Sequence, residues 1–263
     1  MPIPYDGTAT WQKGAAAGPE AILAASAHME LYCLETDSEP WRRGIATLEP
    51  LAGFSSPEEM VSSVREAAAG LLDEERILVG LGGEHSVSIG LIQAHAGFHE
   101  NLTVLQLDAH ADTRDRYEGS RFNHACVMAR AAEVAATVAV GVRSLDASEV
   151  AGLDRDRVFF AHEFSTAETT RAVLDLLDGP VYVTIDLDVL DPAEMPATGT
   201  PEPGGLRYRE VLDLLAEVCR RKHVVGLDVC ELMPLAGNRA PDYLAARLVY
   251  QLMAHLEEGR GGT

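Results

Sequence analysis

The stretch "LTVLQLDAHAD", residues 102–112, carries a near-continuous apolar run straight into alternating acids and a histidine. Such a run fits a strand buried on both faces, as in a parallel sheet, better than the alternation of a half-wet antiparallel strand. Four more runs read the same way: "RILVGL" (76–81), "TVAVGV" (137–142), "PVYVTIDL" (180–187) and "HVVGLDV" (223–229). Helix-like stretches lie between them. "SPEEMVSSVREAAAGLLDEE" opens with a Ser cap, a Pro in the first turn and acidic residues, then spaces apolar residues by three and four. "SVSIGLIQAHAGF", "TAETTRAVLDLLDG", "GLRYREVLDLLAEVCRR" and "APDYLAARLVYQLMAHLEE" behave similarly. Alternation of strand and helix predicts an α/β fold, an open and mostly parallel sheet covered by helices on both sides. No linker or shift of composition interrupts it, so residues 1–263 are expected to form a single domain, with the short tail "GRGGT" disordered.

Composition agrees with a folded chain: 263 residues, 47% aliphatic, aromatic and Cys, and 24% charged. The apolar stretches are broken well short of the roughly 20 residues of a spanning helix. "MPIPYDGTATW" lacks a basic and apolar leader, so a cytoplasmic location is expected, with no membrane partner. Cys33, Cys126, Cys219 and Cys230 are scattered without a C-x-x-C pair and suggest neither a zinc ribbon nor a disulfide framework. A formal charge of -20 with no basic stripe argues against nucleic acid. The same charge favours encounter with a small cation.

In open α/β sheets ligands bind beyond the carboxyl ends of the strands. Here those ends are polar: "RILVGL" runs into "GGEHS", "LTVLQL" into "DAHAD", "VYVTI" into "DLDVLDP" and "VVGL" into "DVCELMP". Residues two apart in an extended segment share a face, so Asp108, His110 and Asp112 can converge, as can Asp186 and Asp188. Each acid alone reads as a turn former or cap, and a single histidine as structural. Brought together without cations, four carboxylates would repel one another, and divalent metal removes that conflict. Oxygen-rich ligation with imidazole suits Mn or a similar first-row ion better than a structural zinc. The glycines of "GLGGEHS" do not complete a dinucleotide motif, because the third position is His85; they are expected to permit a tight turn that presents His85 at a helix start.

In this order, "GGEHS", "DAHAD", "TIDLDVLDPAEMPATGTPEPGG" and "DVCELMP" resemble the arginase and agmatinase family, the ureohydrolases, and "PIPYDGTATWQKGAAAGPEAI" resembles the opening of agmatinases. The resemblance spans nearly the whole chain. It implies a three-layer α/β/α sandwich, two Mn ions per subunit, a homo-oligomer (trimer or hexamer), and hydrolysis of a guanidino group to urea and an amine. By resemblance His85 and Asp112 are ligands of the first metal and His110 and Asp188 of the second, with Asp108 and Asp186 bridging; Asp112 also counts among the catalytic residues. His124 matches the histidine that relays protons to the leaving amine, Glu231 the glutamate that pairs with the guanidinium, and Thr200 a residue that places the substrate or Glu231. Four carboxylates balance two divalent ions, so a bridging hydroxide leaves about -1, matched by a guanidinium.

Arginases hold an α-amino acid head with an asparagine where this chain has Arg114. The segment "DTRDRYEGSRFNHACVM" looks agmatinase-like instead, and Asp115 and Glu118 are expected to face the distal amine of a dicationic substrate. Agmatine, cleaved to putrescine and urea, is the first expectation, and N1-aminopropylagmatine, cleaved to spermidine and urea, the alternative. An arginase, or a guanidino-acid hydrolase whose substrate carboxylate meets Arg114 or Arg121, is a further reading. From other classes, a dinuclear phosphoesterase lacks its later motifs here, and a non-catalytic metal-binding protein predicts a missing ligand.

Overall fold

The apolar runs form strands because they can be buried on both sides, and all five expected strands occur in the computed structural model, which describes residues 1–261. In chain order the elements are β1 (Pro2–Ile3), α1 (Gly18–Ser26), α2 (Pro57–Ala69), β2 (Leu78–Gly82), α3 (Val87–Phe98), β3 (Thr103–Leu107) and α4 (Val127–Ala131). They continue as β4 (Ala136–Val142), α5 (Ala147–Val150), β5 (Val158–Phe160), α6 (Thr166–Leu176), β6 (Pro180–Asp186), α7 (Tyr208–Arg221), β7 (His223–Cys230) and α8 (Ala240–Gly261). Short 3-10 turns join several of them. β1 and β5 were not read from the sequence, being two and three residues long, and neither were α4 and α5. Helix α8 takes in the first residues of "GRGGT"; Gly262 and Thr263 lie outside the described residues, and with them that part of the expected disordered tail.

The strands form one parallel sheet in the order β1-β2-β7-β6-β3-β4-β5. Period-two alternation divides its apolar side chains between two layers. Leu105 and Leu107 of β3 and Val181, Val183 and Ile185 of β6 pack with α1, α6, α7 and α8. Val104, Tyr182 and Val225 pack with α2, α3 and α4 on the other side. This is the expected three-layer arrangement.

Helix α2 starts where Ser56 Oγ accepts from the Glu59 N–H, which satisfies one of the free amides of the first turn. It packs closely on α3 because Gly90 has no side chain: a Cβ there would sit 2.7 Å from the Val61 carbonyl oxygen. The glycines of "GGEH" serve a related purpose. The chain bends and turns over residues 83–86, which presents His85 just before α3, and it does so without a left-handed φ at Gly82 or Gly83. A Cβ on Gly82 would strike Cys230 and Val87, and one on Gly83 would strike the backbone of Tyr5. They bring β7 and the N-terminal segment against the loop that holds His85.

Candidate active site

Four neighbouring strands, β2, β7, β6 and β3, end side by side at the middle of the sheet, and the polar residues noted in the sequence follow them directly. β2 leads into His85, β3 into Asp108, His110 and Asp112, β6 into Asp186 and Asp188, and β7 into Glu231. Asp112 and Glu231 are non-glycine residues with φ of 51° and 68°. That left-handed backbone is strained, and it is held by neighbours. Glu231 N donates to the Gly83 carbonyl at 2.7 Å, and the Asp112 carbonyl accepts from Met128 N and Ala129 N.

The six expected ligands converge. His85 Nδ1 lies 3.0 Å from Asp108 Oδ2, 3.1 Å from Asp112 Oδ2 and 3.5 Å from Asp186 Oδ2. His110 Nδ1 lies 3.0 Å from Asp188 Oδ2 and 3.4 Å from Asp108 Oδ1. Two donor clusters result, His85 with Asp108 and Asp112, and Asp108 with His110 and Asp188, each within 4.8 Å, and Asp108 belongs to both. All four carboxylates are buried.

The electrostatics show what these residues lack when only protein surrounds them. Burial, then the charge of Asp108, pushes Asp112 up to about 7. Burial, then the charges of Asp188 and Asp108, raises Asp186 well above the usual carboxylate range. Against His110, burial opposes the charged ring, but Asp188 and Asp108 outweigh it and push the imidazole up to about 12. Protonated histidines here stand where cations are wanted. Four acids, one of them shared between the clusters, and two imidazoles fit a pair of divalent ions with hard or borderline character.

Beside the clusters, a cleft is lined by Ala9, Trp11, His124, Gly199, Thr200 and Glu231 among others. Glu231 Oε1 accepts the His85 N–H at 2.7 Å, and burial, then the charge of Glu84, pushes its carboxyl up to about 8. Thr200 Oγ1 donates to Asp188 Oδ2 at 3.4 Å. Burial pulls His124 down to about 4, so its ring is neutral near pH 7. Its backbone N–H donates to Thr8 Oγ1 at 3.0 Å, and its Nδ1 is 3.5 Å from the same hydroxyl. Thr8 in turn gives both its N–H and its hydroxyl proton to Glu84. Neither Thr8 nor Glu84 was singled out in the sequence; Glu84 stands inside "GGEH", but its partner lies 76 residues away.

Asp115 and Glu118 do not line this cleft. Asp115 Oδ1 accepts from Arg121 Nη2 at 3.0 Å and from the buried Arg130 Nη2 at 2.7 Å, so its charge is already matched within the loop. Glu118 is an exposed turn residue with φ 46°. The two acids expected to face a substrate amine thus stand in the loop after β3, Asp115 within an ion-pair network and Glu118 exposed. Arg114 is 3.5 Å from Glu149 and stacks over Tyr117, while Arg121 pairs with Asp115 and Glu133.

An all-parallel α/β/α sheet with this acid and imidazole centre at its strand ends is the architecture of the ureohydrolases, hydrolases of guanidino C–N bonds that work with a dinuclear metal centre. The chain belongs to the arginase family, whose model matches residues 1–255. It is 37% identical to an N(1)-aminopropylagmatine ureohydrolase of Synechocystis sp., over 99% of this chain and 89% of that one. It is 34% identical to an agmatinase of Pyrococcus horikoshii, over 95% and 89%. Among solved structures, the agmatine ureohydrolase of Thermoplasma volcanium superposes with a TM-score of 0.90 at 29% identity, covering 99% of this chain and 89% of that one. No helix among the described residues is long and apolar enough to cross a membrane.

Proposed function

We propose that this ureohydrolase acts on agmatine, releasing urea and putrescine, with two Mn ions per subunit. The observation that carries the reading is the cleft in which Glu231, His124 and Thr200 meet beside the two donor clusters. His85, Asp108, Asp112 and Asp186 would hold one ion, and Asp108, His110, Asp186 and Asp188 the other. When bound, the ions lower the pKa of a shared water and so supply a nucleophile at neutral pH. Everything else falls to side chains. Glu231, charged opposite a guanidinium, accepts its N–H groups and orients the planar carbon. Thr200, next to Asp188, forms one wall of that slot. His124, neutral and held by Thr8, is placed to take a proton from the attacking water and hand it to the departing amine.

N1-aminopropylagmatine is the second reading, favoured by the Synechocystis relative's name and by the shared guanidinobutyl end of the two substrates. The ion pairs of Arg114 and Arg121 count against a substrate carboxylate, and so against a guanidino acid. A complete ligand set favours an enzyme over a non-catalytic metal binder. We further infer a single cytoplasmic domain that assembles as a homo-oligomer. The deciding experiment is urea release by Mn-loaded protein, with kcat/KM for agmatine, N1-aminopropylagmatine and arginine compared. Preference for either amine supports the reading and picks the substrate; no urea from any of them, with two metals bound, sinks it.

A further inference from the structure

Asp228 is a buried acid that the reaction scheme does not use. It lies in β7 at 0% exposure, and its partners are hydroxyls and a thiol. Oδ1 accepts from Thr184 Oγ1 at 2.8 Å, Ser88 Oγ at 2.9 Å and Cys230 Sγ at 3.4 Å, and Oδ2 accepts from Tyr182 OH at 2.6 Å. Thr184 Oγ1 is also 2.9 Å from His85 Nε2. A hydroxyl has a single proton. Its nearer acceptor is the Asp228 carboxylate, with Ser88 Oγ farther off at 3.2 Å; given to either, it leaves Thr184 only lone pairs for His85, so Nε2 must carry the ring hydrogen and donate it. The other nitrogen, Nδ1, is then the one left to give its lone pair to an ion, and it faces Asp108, Asp112 and Asp186 at 3.0, 3.1 and 3.5 Å.

We propose that Asp228 is a positioning residue for the metal ion at His85: through Thr184 it sets the tautomer and angle of the imidazole. The inference rests on the dinuclear reading given above. A carboxylate behind a ligating imidazole raises its basicity, and loss of such a partner typically weakens metal binding by roughly 10–100-fold. Here the link passes through one threonine hydroxyl, with Ser88 and Tyr182 fixing the carboxylate from other sides.

The test titrates Mn(II) into metal-stripped full-length protein by calorimetry, with free Mn(II) counted by electron paramagnetic resonance. His85→Asn and His110→Asn assign the two binding steps. Asp228→Asn and Thr184→Val are expected to weaken the His85 step by roughly 10–100-fold and to leave the His110 step within a few-fold. Thr184→Ser, which keeps the hydroxyl, is expected to bind as the unaltered protein does, with the metal-free unfolding temperature unchanged. Equal affinities in Asp228→Asn, Thr184→Val and the unaltered protein overturn the proposal. So does an equal weakening of both steps with a fall in metal-free unfolding temperature, which marks a general core role. An unaltered protein that binds no Mn(II) overturns the dinuclear reading itself, a result distinct from either.

Discussion

The backbone N–H of His85 donates to Glu231 Oε1 at 2.7 Å, tying the loop after β2 to the residue that follows β7. One carboxylate oxygen is spent on this tie, and the other is left for the cleft. Glu231→Gln keeps an oxygen for the His85 amide but loses the charge. Urea release is expected to fall roughly 100-fold or more in kcat/KM, because a charge-assisted pair in a desolvated cleft is lost. Metal content, measured by elemental analysis, is expected to stay at that of the unaltered protein.

His124 is positioned by Thr8, and Thr8 by Glu84. Replacing His124 with Asn is expected to lower kcat by roughly 100-fold or more, with little change in KM, since a positioned proton carrier contributes about that much. Thr8→Val keeps the shape but removes the hydroxyl, and a smaller fall in kcat, roughly 10-fold, is expected. Steady-state kinetics with both variants checks the order: a Thr8→Val enzyme with unaltered kcat removes the N-terminal segment from the site.

Chelation should expose the repulsion that burial imposes on Asp112 and Asp186. An ion at 100 to 1,000 times its dissociation constant stabilises the native state by about 3–4 kcal/mol. For a chain of this size that corresponds to a fall in Tm of roughly 5–15 °C on metal removal. Calorimetric scans before and after chelation, and after Mn(II) is restored, measure it.

His95 predicts an acid limit to stability. Burial pulls it down to about 4, its Nδ1 is 2.8 Å from the Leu91 carbonyl, and its Nε2 has no hydrogen-bond partner among the described residues. The unfolded chain binds this proton near pH 6.5 and the folded chain only near pH 4, so stability from this group is full above about 6.5 and lost as pH falls towards 4. At most about 3 kcal/mol is involved. Urea unfolding of His95→Gln between pH 4 and 7 is expected to show a flatter pH slope than the unaltered protein; equal slopes would remove His95 as the source.

At Gly90 two effects oppose each other. Alanine is favoured in a helix by about 1 kcal/mol, but its Cβ would meet the Val61 carbonyl at 2.7 Å, where backbone must shift. Overpacking of this kind costs about 1–3 kcal/mol. Gly90→Ala is therefore expected to destabilise, read as a lower urea midpoint.

Much of this was legible from a few strand ends. The five long strands announced themselves because each must be buried on both faces, and the alternating acids and histidine after them marked the ligands. Their convergence, however, comes from turns and not from strand alternation, since β3 ends at Leu107, Asp112 is left-handed and Asp188 lies in a 3-10 turn. The edge strands β1 and β5 did not, since two or three residues carry no periodicity. Thr8, Thr184 and Asp228 escaped because nothing local marks them: each acquires its role from a partner tens of residues away. The pairing of Asp115 was hidden for the same reason: its partner Arg130 lies fifteen residues on, in α4.

The strand order has a consequence for how the centre comes into being. β2 pairs with β7, so His85 meets Thr184 and Glu231 only after chain ends separated by 99 and 146 residues have joined. Closing such long loops is the slow part of assembling a parallel sheet. A nascent or truncated chain lacking β7 can still pair β3 with β6, but nothing joins β2, and with it His85, to them. Tight uptake of the ion at His85 would thus be a late event in the life of the polypeptide, a molecular certificate that the last strand has slid home.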